Sequence, residues 1–322
     1  MLMRYNYRRG TPEHLCNGGR VAQCNGLQIR KTACSNHARC SKFDNKSKTC
    51  YDACINLLRY CMKILSCLIL TLSVTSVSAQ SFMERMRDKY LYSDYEIEGV
   101  EQSYDKAEVF IPNKFLTTVP SKIEVDKKYP VVIYLHGCAG IGQHDYQWGK
   151  FISNMGYIVI QPNSFARPNT KVVCDTKTFK TEGGLVTGKA LMFRQQEIKY
   201  ALSQIKLSVW ADTSNVFLMG HSQGGQSVAL NKSNEFKGII ISGWTCTHTL
   251  TGGIKSEKNV PVLSMTYDND PWYNSPIFKG SCADYAQDRE NFKQVDLQGS
   301  YHSTYDNQKA REEVKMFLTK GE

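Results

Sequence analysis

Gly220-His221-Ser222-Gln223-Gly224-Gly225 sets one serine hydroxyl among small residues. Before it, Val216-Phe217-Leu218-Met219 reads as a buried strand; after it, Gln226-Ser227-Val228-Ala229-Leu230 reads as the start of a helix. Gly-x-Ser-x-Gly between strand and helix is a nucleophile elbow, a turn so tight that only small residues can flank the serine. Such a turn lifts the hydroxyl above the sheet edge and leaves the next backbone N–H free to bind an oxyanion. The pentapeptide by itself is also met in ordinary glycine-rich turns. The strand before it and the helix after it are what point to acyl transfer.

A serine hydroxyl attacks well only when a base takes its proton and a third group orients that base. Behind an elbow the partners follow in the order Ser, then Asp or Glu, then His. Order removes most of the seven histidines. His136, His144 and His221 precede the serine, His14 and His37 lie far upstream, and His248 comes before any acid that follows a later strand. His302 is left, in Gly299-Ser300-Tyr301-His302 just past the last expected strand. The acid is expected after the run Val260 to Thr266, where Tyr267-Asp268-Asn269-Asp270-Pro271 offers two aspartates. Asp270 is preferred because it sits further into the turn; Asp268 would then serve the turn itself. An oxyanion needs two N–H donors. Gln223, next after the serine, supplies one, and Cys138 in the glycine-rich His136-Gly137-Cys138-Ala139-Gly140 is expected to supply the other.

Those residues need a scaffold, and the chain alternates short apolar runs with helical patterns, as an α/β sheet requires. Strands are expected at 107–111, 130–135, 156–160, 216–219, 236–242, 260–266 and 294–297. Their continuous apolar character suits strands covered on both faces. Leu191, Ile198, Ala201, Leu202 and Ile205 keep a helical stripe before the serine strand, and Ala310, Val314, Phe317 and Leu318 keep another at the end. Residues 163–190, with Pro168, Gly183 and Gly184, read as a long loop.

The formal charge of +10 over 322 residues would suggest an anionic partner, but it is concentrated. Residues 1–61 carry 11 basic and 3 acidic side chains, whereas residues from Gln80 onward carry 28 and 27. That balance argues against nucleic acid as a partner. Seven of the twelve cysteines also precede residue 62. Between the two regions, Met62-Lys63, the apolar run Ile64 to Val77 and Ser78-Ala79 form the pattern of a secretory signal peptide cut after Ala79. The run is shorter than the ~20 residues that cross a bilayer. The expectation is therefore a spurious or disordered extension (1–61), a signal peptide (62–79) and one exported domain (80–322) with no membrane anchor after cleavage. A genuine disulfide-rich module, or an uncleaved anchor, are the rival readings of the N-terminal part.

Taken with Gln161-Pro162-Asn163-Ser164-Phe165 and the segment Arg194 to Leu202, the motifs resemble an α/β-hydrolase of the dienelactone hydrolase group, over residues 105–320. Dienelactone hydrolases proper carry cysteine at the elbow; Ser222 here favours a serine esterase. The resemblance implies an α/β-hydrolase fold with a mostly parallel central sheet and helices on both faces. It also implies the chemistry: Ser222 attacks an acyl carbonyl, His302 relays its proton to the leaving group, and Asp270 fixes the imidazole. A small-molecule or polymer ester is the implied substrate, and no cofactor or metal is called for. Two other readings stand beside it, a serine peptidase of the prolyl-oligopeptidase type and a non-catalytic binding protein on the same scaffold. In an oxidising compartment Cys138, Cys174, Cys246 and Cys282 could form two bridges. Of the three pairings, Cys138–Cys174 with Cys246–Cys282 is expected, all four lying in loops after strands or beside the site; unpaired thiols are the alternative. Trp244 and Trp272 suit either a pocket or the core.

Overall fold

A computed structural model describes residues 82–320 except 83, 87, 90, 93–98, 169, 171–173, 175, 249 and 250. The expected extension and signal peptide lie outside the described residues, all of which belong to the unit Leu72–Glu322. Among the described residues no helix is long and apolar enough to cross a membrane.

Seven strands form one sheet: β1 (Glu108–Phe110), β2 (Tyr129–Leu135), β3 (Ile158–Gln161), β4 (Ala211–His221), β5 (Gly238–Ser242), β6 (Val262–Tyr267) and β7 (Phe292–Leu297). Their order across the sheet is β1-β3-β2-β4-β5-β6-β7. Only β1 runs antiparallel, against β3. The α-helices fully within the described residues are α1 (Val100–Asp105), α2 (Gln143–Ser153), α3 (Thr176–Leu207), α4 (Gln223–Leu230) and α5 (Gln308–Thr319).

Alternation along the strands sorts the core into two layers. Val131, Ile133, Leu135, Leu218, Ile239 and Ile241 pack against Ile198, Ala201 and Ile205 of α3 and Val228 and Ala229 of α4. Val132, Tyr134, Met219, Ile240 and Met265 face the other way, onto Trp148 and Ile152 of α2 and Ala310, Val314 and Leu318 of α5. Both faces are covered, which is why the central strands are apolar without a break.

This topology decides where a site can form. After β2 the chain goes to β3 on one side, then crosses to β4 on the other, so the order reverses at β2. In open α/β sheets the crevice at that reversal, beyond the carboxyl ends of the strands, is where ligands bind. Leu135 and Gly220 are register partners at those ends, so the His136 loop and the Ser222 turn leave the sheet side by side.

One expectation is corrected. Most of 163–190 is helix, because α3 begins at Thr176 and continues through Gly183-Gly184 for 32 residues. A glycine inside a helix costs about 1 kcal/mol relative to alanine but does not end it; with no proline after Pro168 the helix carries on to Leu207.

Candidate active site

Ser222 sits between β4 and α4 with φ 56° and ψ −116°, a left-handed backbone that a non-glycine residue holds at a cost of about 1–3 kcal/mol. Neighbouring atoms enforce it. Ser222 N donates to Ser242 O at 2.8 Å, and Gln226 N donates to Ser222 O at 2.9 Å. Two glycines are obligatory by space: a Cβ on Gly224 would lie 2.1 Å from Leu135 O, and one on Gly220 would lie 2.4 Å from Gly224 O. The turn is squeezed against its own helix and the neighbouring strand. Gln223 opens α4, and the first N–H groups of a helix have no intrahelical acceptor, so its amide is free for an oxyanion.

His302 and Asp270 meet in the loops after β7 and β6. Asp270, 3% exposed, lies 2.7 Å through Oδ2 from His302 Nδ1. Its Oδ1 accepts Trp272 N at 2.9 Å, so the carboxylate is held on both sides. Asp268 does something else: its Oδ1 accepts the Gly299 amide at 3.0 Å, tying two loops together. With Nδ1 committed to Asp270, His302 Nε2 is the nitrogen available for a proton, and it is buried with no hydrogen-bond partner among the described residues.

Tyr273 joins the two halves, and sequence reasoning missed it. Its side chain lies next to Ser222, and its ring centre is 5.6 Å from that of His302. Burial, then the Asp270 charge, push its phenol far above the usual range, so it stays neutral and can donate. Trp244 packs edge-on against Tyr273 at 5.3 Å as part of the core, while Trp272 stacks on His302 at 5.4 Å. On the other flank, His302, His221 and His144 form a row with ring centres 4.8 and 4.1 Å apart. Burial lowers His221 strongly and lowers His144 to about 3, with neighbouring imidazoles adding to each, so both are neutral.

The loop after β2 is built differently. Cys138 is bridged to Cys174, and Cys246 to Cys282. Gly137 adjoins Ser222, since a Cβ there would lie 3.6 Å from Ser222 Cβ. His136 is fully buried, and burial and then the Arg194 charge hold it neutral. Its Nε2 accepts Ser164 N at 3.3 Å, so Nδ1 carries the proton and donates to Gly137 O at 2.6 Å. Below the loop, Arg194 Nη2 donates to His136 O at 3.0 Å and Gly137 O at 3.3 Å. Its 2.9 Å approach to His136 Nδ1 is then a contact between two donors, not a bond. Glu197 balances Arg194 at 3.6 Å and Arg167 at 3.5 Å, and accepts Ser164 Oγ at 2.6 Å. None of Arg194, Glu197 or Arg167 stood out as a site residue in the sequence, because a charged residue on a striped helix reads as its solvent face and Arg167 falls in the segment read as a loop.

The sequence matches the chlorophyllase family over residues 87–270, more than half of the chain and including both Ser222 and Asp270. The chain belongs to the chlorophyllase family. It is a carboxylic-ester hydrolase, consistent with the dienelactone hydrolase-like group its motifs resemble. Among solved structures it is similar to Est1E from Butyrivibrio proteoclasticus, at 15% identity over 66% of this chain and 93% of that one, with TM-score 0.45. It is similar also to esterase PE8, at 17% identity over 66% and 97%, TM-score 0.44. A third is the dienelactone hydrolase-like promiscuous phosphotriesterase P91 from metagenomic libraries, at 15% identity over 63% and 87%, TM-score 0.44. No curated protein matches the sequence.

Proposed function

We propose that residues 80–322 form an exported serine esterase in which Ser222, His302 and Asp270 act as a catalytic triad through an acyl-enzyme. The observation that carries this reading is His302. Its Nδ1 is fixed by a buried carboxylate 2.7 Å away, its Nε2 is left without a partner, and its ring lies 4.8 Å from that of His221, the residue before the strained Ser222. An imidazole held in that way is a base aimed by its far side.

The steps follow from the chemistry of each group. Ser222 Oγ passes its proton to His302 Nε2 and attacks the ester carbonyl. The carbonyl oxygen takes up negative charge, met by the amides of Gln223 and Cys138. Collapse expels the alcohol, protonated by His302, and leaves Ser222 acylated. Water, deprotonated by His302, reverses the sequence and frees the acid. Export is supported by the charge-poor apolar run at 64–77 and by two disulfide bridges, which persist in oxidising compartments. The family's name makes chlorophyll one ester worth trying.

Turnover of p-nitrophenyl esters of rising acyl length, and of chlorophyll, by wild type and Ser222→Ala tests the reading. Wild type should hydrolyse at least one ester, and the variant should lose about 10⁴-fold or more in kcat with an unchanged melting temperature. A Ser222→Ala enzyme that keeps its activity would sink it.

A further inference from the structure

We propose that Arg194 is a positioning residue of the oxyanion loop: it locks the plane of the Gly137–Cys138 peptide and so aims the Cys138 N–H at the acyl oxygen. This rests on Ser222 being the nucleophile and says how its second oxyanion donor is held.

In a trans peptide the carbonyl and the amide lie in one plane and point in opposite directions, and the described chain contains no cis bond. Whatever grips Gly137 O therefore sets the direction of Cys138 N–H. Three donors grip it: His136 Nδ1 at 2.6 Å, Arg194 Nη2 at 3.3 Å and Gly140 N at 3.3 Å. The same guanidinium nitrogen also takes the preceding carbonyl, His136 O, at 3.0 Å. Two successive peptides are thus pinned from the buried side, where Arg194 is 2% exposed. Cys138 N–H is turned to the opposite side and has no acceptor among the described residues.

Arginine suits this place for a stated reason. Its planar head offers donors in a fixed fork and reaches two carbonyls at once, which the single ammonium of lysine does not reproduce. Stability alone is a poor explanation for it. A buried ion pair is often no better than apolar side chains of the same volume, yet here Arg194, Glu197 and Arg167 are all sunk beneath one turn. Glu197 keeps the guanidinium in place, and Ser164, bonded through Oγ to Glu197 and through N to His136, ties both to the loop. The Cys138–Cys174 bridge holds the same residue through its side chain. The peptide is held by charge from below and covalently from beside.

Two variants test the assignment: Arg194→Lys, which keeps a cation opposite Glu197, and the pair Arg194→Gln with Glu197→Gln, which removes both charges together. Folding is read from a cooperative melt and from the intact Cys138–Cys174 peptide by mass spectrometry. In either folded variant kcat on p-nitrophenyl acetate should fall about 10- to 100-fold, less than the loss of a whole oxyanion donor, with KM within about twofold. A trifluoromethyl ketone reads the oxyanion hole directly, because Ser222 Oγ adds to its carbonyl and the resulting oxygen anion occupies the hole. Its Ki should rise by the same factor as kcat falls. A folded variant with wild-type kcat and Ki overturns the proposal, as does a change confined to KM. Failure of both variants to fold assigns the pair to the fold and overturns it too. If instead the ketone fails to inhibit wild type, or Ser222→Ala still turns over, the nucleophile is misassigned, and the two failures are told apart.

Discussion

The serine elbow and the loop after β2 leave the sheet side by side and are fixed by opposite means. At the elbow, space does the work: Gly224 and Gly220 press on backbone oxygens at distances no Cβ could share, and neutral imidazoles pack alongside. At the loop, chemistry does it: a buried guanidinium, a carboxylate, a neutral histidine and a disulfide hold two peptides that steric pressure alone would leave free to turn. A strained nucleophile needs a backbone that cannot relax. A donor for transient charge needs a peptide that cannot flip.

The sharpest break on the elbow side comes from the acid. Asp270→Asn leaves the geometry but removes the charge that sets the imidazole tautomer, and kcat should fall about 10³- to 10⁴-fold. Asp268→Asn, whose carboxylate serves a loop contact, should stay within about twofold in the same ester assay.

The two disulfides sharpen the contrast, because both close the same sequence separation of 36 residues. Chain entropy then predicts a similar loss of about 4 kcal/mol for replacing either pair by serine. Only the Cys138/Cys174 double variant should also lose kcat, since only that bridge reaches the oxyanion loop. Urea melts and ester turnover on both double variants give the comparison; equal kcat losses would erase it.

Gly224→Ala tests the steric half. A methyl 2.1 Å from Leu135 O must displace the strand or the elbow, and about 3 kcal/mol of stability should go with it in denaturant melts.

These differences also explain what could be read from the residues alone. The elbow was legible because its constraint is local: small residues at fixed offsets between a strand and a helix. His302 followed from chain order, and a turn with two aspartates narrowed the acid to a pair. Six of the seven strands fell within about two residues of their expected starts, since buried strands are continuous apolar runs; β4 begins five residues earlier, in the polar stretch Ala211 to Asn215. The loop's supports were not legible. Arg194 acts on a carbonyl 57 residues away, and Tyr273 meets Ser222 only after the chain has crossed two strands. Gly183-Gly184 misled in the other direction, because a glycine weakens a helix without ending it.

The smallest effect is a pH dependence on the elbow side. His144 on the elbow side has a folded value of about 3 against its ordinary 6.5. The unfolded chain therefore binds that proton first as pH falls, so its contribution is whole above about 6.5 and is lost progressively between 6.5 and 3. At pH 5.5 the loss is about 1 kcal/mol. Chemical melts at pH 7.5 and 5.5 should show His144→Gln losing less on acidification than wild type, whereas Arg194→Lys should lose as much as wild type.

In the proposed mechanism Ser222 is the residue acylated. Treating the native protein with a fluorophosphonate and mapping the adduct by peptide mass spectrometry tests it most directly. One adduct on Ser222, within Gly220-His221-Ser222-Gln223-Gly224-Gly225, and none in Ser222→Ala is the predicted result. An adduct on any other residue of the wild-type protein would contradict it.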